Sequence, residues 1–207
     1  MTTSSSLASV RAVTTSLRPP GNHGCPGVEI IPGLWTAHFH DIETPDALLT
    51  VAPPVTVVVN VGTDKCPAVS YGDGVRVVAI DLLDDPDELK KADNMPDGSD
   101  KDGVKSALLE RLPSGNYAGL VPCGDAKKDF EVVNSLVDET LGGGGAVMIH
   151  CHGSISRSAA FILAYMMKTR RVTLVEATAL FKSKWDACWP ADSFVLQLIE
   201  YERELGL

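Results

Sequence analysis

Hydrophobic positions along this chain come in two rhythms. From Val55 the sequence reads VTVVVNVG, a nearly continuous run of β-branched residues. Such runs form strands covered on both faces, as in a parallel sheet. GVRVVAIDLL from Gly74 and AVMIHC from Ala146 read the same way. VEIIPGLWTAHF, residues 28 to 39, reads as two short strands joined by a turn at Pro32-Gly33. The second rhythm is helical. Phe130, Val133, Leu136, Val137 and Leu141 form a stripe in DAKKDFEVVNSLVDETL, and GGGG at 142–145 ends that helix. SRSAAFILAYMMK is apolar nearly all round, so it predicts a central buried helix. TLVEATALFKSKWD and DSFVLQLIEYERELG predict two amphipathic helices separated by Pro190, and IETPDALLTVA a further one, capped by Thr44 with Pro45 in its first turn. Strands alternating with helices imply an α/β fold: a mostly parallel central sheet flanked by helices.

Two stretches break the pattern. Residues 1–27 are rich in Ser and Thr and precede the first strand, so they read as a flexible amino-terminal tail. Their lack of acidic residues also suits an organelle transit peptide, but only Arg11 and Arg18 supply positive charge, and the tail is the reading taken. Residues 86–126, rich in Asp, Lys, Gly and Pro, read as a surface excursion with one short helix, GVKSALLERL. The remainder, 28–207, forms one catalytic-sized domain.

Charge and cysteine content narrow the function classes. The net charge is −9 over 207 residues. A nucleic-acid binder needs a dense Lys/Arg surface, so that class is excluded. An anionic substrate must be met by a local positive pocket instead. The five cysteines, Cys25, Cys66, Cys123, Cys151 and Cys188, are odd in number and contain no CxxC pair. This argues for a reducing compartment and a cytoplasmic protein. No apolar run reaches membrane-spanning length, and no membrane partner is expected.

The candidate chemistry lies in IHCHGSISRS, residues 149–158. A buried strand ends at His150 and a buried helix begins near Arg157. Between them stand Cys151, His152, Gly153, Ser154, Ile155 and Ser156. In an open parallel sheet, ligands bind beyond the carboxyl ends of the strands. A helix N-terminus there offers unpaired N–H groups and partial positive charge, and small residues let the loop curl so that its amides converge. Arg157 adds a two-pronged fork for phosphate oxygens. The same field favours a thiolate; an ordinary free thiol titrates at about 8.5, and a helix N-terminus beside a cation lowers that. One loop can thus bind a phosphate and hold a nucleophile beneath it.

The Cys-x5-Arg spacing, His150 before it, Ser158 after it and the buried helix that follows resemble the active-site segment of the dual-specificity branch of the cysteine-dependent protein tyrosine phosphatases. VEIIPGLWTAHF is similar to that family's first hairpin, VTVVVNVG and VRVVAIDLLDDPDE to its central strands, and WPADSFVLQLIEYE to its last helix. The resemblance implies a protein tyrosine phosphatase-like fold, no cofactor, and a phosphorylated protein as substrate. It implies that Cys151 attacks phosphorus and carries the phosphoryl group, that Arg157 and the amides of 152–157 hold the phosphate oxygens, that Ser158 assists departure of the thiolate, and that His150 orients the loop and supports an ionised Cys151. It also implies a general acid from the loop after VRVVAID. The aspartate two residues before a proline is Asp84; Asp85 is the runner-up, and Asp81 and Asp87 are the other carboxylates nearby.

Two positions depart from the family pattern. Ser154 stands three residues after the cysteine, where glycine is usual, and Ala191 stands where an asparagine is usual. A serine forced to positive φ would strain the loop by about 1–3 kcal/mol. His152 reads either as a substrate-selecting rim residue or as a tolerated exposed one. The absence of a loop lysine argues against a highly charged inositol lipid. Two rival functions remain open: a silent relative that binds phosphoproteins without turnover, and a phosphatase of a phospholipid, sugar or RNA 5′ end. A zinc site built from His38, His40, His150, Cys151 and His152 would occupy the thiol and leave Arg157 and the small-residue loop without purpose, so no metal is assigned.

Overall fold

The structure is a computed structural model that describes residues 5–16, 27–63, 65–82 and 125–207. Strands β1 (Val28–Ile31) and β2 (Leu34–Thr36) form the expected hairpin, and Gly33 takes the turn at φ 80°. β3 (Val55–Asn60), β4 (Arg76–Ala79) and β5 (Ala146–His150) follow. The described strands make one sheet in the order β1-β2-β5-β3-β4. β1 and β2 are antiparallel, whereas β2-β5, β5-β3 and β3-β4 are parallel. The last strand in sequence therefore lies in the middle of the sheet.

Both faces of the central strands are covered, as their composition predicts. Val57, Val59 and Val61 of the β3 segment join Val147 and Ile149 of β5 in one core. Val55, Val58, Ala146 and Met148 face a second core with Ala37, Ile42, Leu48 and Tyr71. The first core is built mostly by helices. α2 (Lys127–Gly142) buries Phe130, Val133 and Val137. α3 (Arg157–Arg170) is buried without interruption from Arg157 to Met167. α4 (Leu174–Lys182) starts with a capping box between Thr173 and Glu176, and α5 (Asp192–Glu204) completes the layer. Each large apolar side chain buried around α3 contributes about 1.5–3 kcal/mol, and that packing fixes where the N-terminus of α3 sits.

Three expectations change. Among the described strands β4 lies at the edge, paired with β3, and its residues are largely exposed, not buried on both faces; the composition of VRVV cannot reveal that position. The segment after Thr44 makes a single short 3-10 turn, Pro45–Leu48, not a longer helix. Residues within the expected tail form helix α1 (Leu7–Ser16). α1 packs on α4 and α5, with Val10 wholly buried. The physical reason is Glu202. This buried carboxylate accepts from the Ser5 amide at 2.9 Å, the Ser5 hydroxyl at 2.8 Å and the Leu174 amide at 2.7 Å. A carboxylate so buried needs donors, and the amino-terminal segment supplies two of them. The short helix expected within the excursion, GVKSALLERL, lies outside the described residues. Among the described residues no helix is long and apolar enough to cross a membrane.

Candidate functional site

β5 and β3 run side by side to a common edge, with His150 paired in register to Asn60. The Val61 amide extends the pairing to the His150 carbonyl at 2.9 Å. Beyond it β5 leaves the sheet at Cys151, curls through 152–156 and enters α3 at Arg157. The site thus sits at the carboxyl edge in the middle of a parallel sheet, below the N-terminus of the most buried helix.

The loop is held from outside by donors that take its carbonyls. The Phe39 amide donates to the His152 carbonyl at 2.9 Å. Trp185 Nε1 donates to the Ser154 carbonyl at 2.9 Å, and the Trp189 amide to the Ile155 carbonyl at 2.9 Å. In a trans peptide the C=O of one residue and the N–H of the next point in opposite directions. Carbonyls turned outward at 152, 154 and 155 therefore turn the N–H groups of Gly153, Ile155 and Ser156 to the other side, toward the inside of the curl. This is a nest of amides with an arginine at its end.

Of the expected side chains, Cys151 and Ser158 come together. Cys151 and Arg157 are 3% and 2% exposed. The Ser158 hydroxyl lies 3.5 Å from Cys151 Sγ. Arg157 Nη1 donates to the Leu82 carbonyl at 3.1 Å, so the guanidinium reaches the chain that follows β4. His150 Nδ1 lies 3.3 Å from the Cys151 carbonyl; since a carbonyl only accepts, this nitrogen carries the hydrogen. The ring stacks on Phe39, and burial holds its pKa down to about 4. A neutral imidazole at pH 7 orients the loop through that bond.

Ser154 resolves the first departure. It does adopt positive φ, 49°, and is wholly buried. That conformation costs a non-glycine residue roughly 1–2 kcal/mol. Its hydroxyl donates to the Ala37 carbonyl, a bond glycine could not make and one that contributes about 1 kcal/mol. Strain and anchor nearly offset each other. At Ala191 the backbone does the supporting: its amide donates to the Ser156 hydroxyl at 3.0 Å.

The rim carries His152, exposed and edge-on to His40 at 5.3 Å between ring centres, and Ile155, also exposed. His38 packs on Trp185 instead of joining them. Among the described residues, no three His, Cys, Asp or Glu side chains are arranged to hold a metal ion. Asp81 is exposed and accepts from the Thr63 hydroxyl at 3.3 Å. Asp84, Asp85 and Asp87, and Cys25 and Cys123, lie outside the described residues.

Sequence reading missed three supports. Gly62 packs beneath Cys151, where a Cβ would fall 3.1 Å from Cys151 Cα. Trp185 and Ala37 grip Ser154 from 31 and 117 residues away. The glycine closing the VTVVVNVG strand was the one visible hint; the other two are long-range contacts that no local spacing records.

Three comparisons bear on this arrangement. The family of dual specificity phosphatase catalytic domains matches residues 120–204. A protein of Invertebrate iridescent virus 6 named as a tyrosine phosphatase is 33% identical over 82 residues, 40% of this chain and 58% of its own length. Dual specificity protein phosphatase 1-A of Xenopus laevis is 37% identical over 81 residues, 39% of this chain and 22% of its own length. The chain therefore spans less than two thirds of the curated relatives it matches. A variant of human DUSP28 superimposes with a TM-score of 0.64 at 23% identity, covering 88% of this chain and 98% of that one. That likeness shows a shared fold.

Proposed function

We propose that this chain, a small member of the dual-specificity branch of the cysteine-dependent phosphatases, hydrolyses phosphomonoesters on protein tyrosine, serine or threonine. The observation that carries this reading is the curl between Cys151 and Arg157, with its carbonyls tied outward and its amides turned in. A tetrahedral dianion seated there would face Cys151 Sγ with its bridging oxygen turned toward solvent. Residues 28–207 are read as the catalytic domain, with 86–126 as an excursion from it.

The steps follow from the groups available. Cys151 attacks as the thiolate; an S–P bond forms and the P–O bond to the substrate breaks. Arg157 and the amides of 152–157 stabilise the equatorial oxygens as charge spreads over them. The departing oxygen takes a proton from Asp84, with Asp85 the runner-up. The Arg157 contact to the Leu82 carbonyl supports this assignment, because Leu82 precedes Asp84 by two residues. Water then attacks phosphorus and gives its proton to the same carboxylate. The S–P bond breaks, and the Ser158 hydroxyl stabilises the leaving thiolate. No step calls for a metal. His152 and Ile155 line the rim, where the residues flanking a phosphoamino acid would lie. A reducing, cytoplasmic setting fits a reactive thiol.

The test is hydrolysis of an aryl phosphate in the presence of a chelator, comparing the chain with Cys151→Ser. The reading expects turnover in the first and almost none in the second. Equal rates overturn it. Phosphopeptide binding without turnover in the unaltered chain would favour the silent-binder reading.

A further inference from the structure

We propose that Arg11, on the amino-terminal helix, is a positioning residue for the phosphate loop; the proposal rests on the reading of 151–157 as a phosphate cradle. The loop is gripped at Ile155 and Ser156 by the turn that precedes α5, through the Trp189 amide and the Ala191 amide. That turn has little support of its own. Pro190 has no N–H to donate. Ala191, the N-cap of α5, offers no side-chain cap. The Trp189 side chain is 44% exposed.

Arg11 supplies what the turn lacks. Its Nη2 donates to the Pro190 carbonyl at 2.6 Å and its Nε to Asp192 Oδ1 at 2.8 Å. Its guanidinium lies over the Trp189 ring, 4.6 Å from the centre. One planar group thus holds three of the four residues from 189 to 192 from behind, while the same turn holds two loop residues from the front. A guanidinium can do this because its donors form a rigid fork and its face stacks on aromatic rings. Two anchors set its place. Val10 is buried in the main core, and Ser5 is bonded to Glu202. The docking of α1 and the shape of the cradle are therefore linked.

The experiment uses the full chain and inorganic phosphate as the probe. Phosphate seated in the cradle shields Cys151 from iodoacetate, and the concentration giving half-protection is read from the mass of the Cys151 peptide. Arg11→Ala is expected to weaken half-protection roughly tenfold and to lower kcat/KM by a similar factor. Arg11→Lys keeps the charge beside Asp192 but loses the fork, so its loss is expected to be smaller, roughly threefold. Ser5→Ala loosens the far end of α1 and is expected to lower the melting temperature while weakening half-protection far less than Arg11→Ala, because buried Val10 still holds the helix beside Arg11. Unchanged half-protection in Arg11→Ala would overturn the proposal, as would Ser5→Ala weakening it equally. If the unaltered chain bound phosphate without turnover, the hydrolase reading would fall while the Arg11 effect on protection would still be read.

Discussion

Two segments leave the carboxyl edge of the sheet from strands that flank β3, and they differ in how they are made. The segment after β5, from His150 to Ser158, is compact: candidate nucleophile, amides, arginine and hydroxyl lie within nine consecutive residues. The segment after β4 bears the candidate acid, yet it meets the site through the Leu82 carbonyl and Arg157, 75 residues apart. A phosphate cradle must be rigid and pre-shaped, because its amides act only if they already converge. A general acid only has to arrive beside the leaving oxygen. The first demand compresses into a local motif and the second does not.

The largest effects should come from the compact segment. Cys151→Ser should lower kcat by about 10³-fold or more, since the covalent route is lost. Steady-state assays on an aryl phosphate read this directly. Asp84→Asn should act on the other segment, by about 10²-fold with alkyl phosphates and much less with activated aryl phosphates. It should also flatten the alkaline limb of the pH–rate profile. If Asp85→Asn does so instead, the acid is one residue further along.

His150 sharpens the contrast through stability. Burial holds it near 4, below the ordinary 6.5. The unfolded chain therefore takes up the proton first on acidification. The stabilisation is fully present above about 6.5 and is lost as pH falls from there toward 4, by roughly 3 kcal/mol in all. Denaturant unfolding at a series of pH values should show this loss in the wild type and a flatter curve in His150→Gln. Equal slopes would remove His150 from the account.

The smallest effect is at Ser154. Ser154→Ala keeps the strained φ and loses the bond to Ala37, so it should destabilise by about 1–2 kcal/mol. Ser154→Gly loses the bond but relaxes the backbone, and should lie within about 0.5 kcal/mol of wild type. Thermal unfolding of both variants distinguishes an anchored serine from one that is merely tolerated.

Much of this was legible because it is local. The valines of β3, the stripe from Phe130 to Leu141 and the all-round apolar α3 each follow from spacing alone, and Cys151, Arg157 and Ser158 share one loop. What stayed hidden depends on contacts distant in sequence. Nothing near Ser5 foretells a bond to Glu202, 197 residues away. The run VRVV has the composition of a central strand, and only topology places β4 at the edge of the described strands. Trp185 looks like core until its indole N–H is seen on the Ser154 carbonyl. The charge state of His150 stayed hidden for a related reason: burial, which decides it, is a property of the fold.

The central claim is that Cys151 carries the phosphoryl group. Rapid acid quenching of the chain during turnover of a phosphotyrosine peptide, with a chelator present, tests it most directly. Mass analysis of the Cys151 peptide should show one phosphoryl group that forms and decays at least as fast as kcat. Full-rate turnover with an unmodified Cys151, or an undiminished rate in Cys151→Ser, would contradict the account.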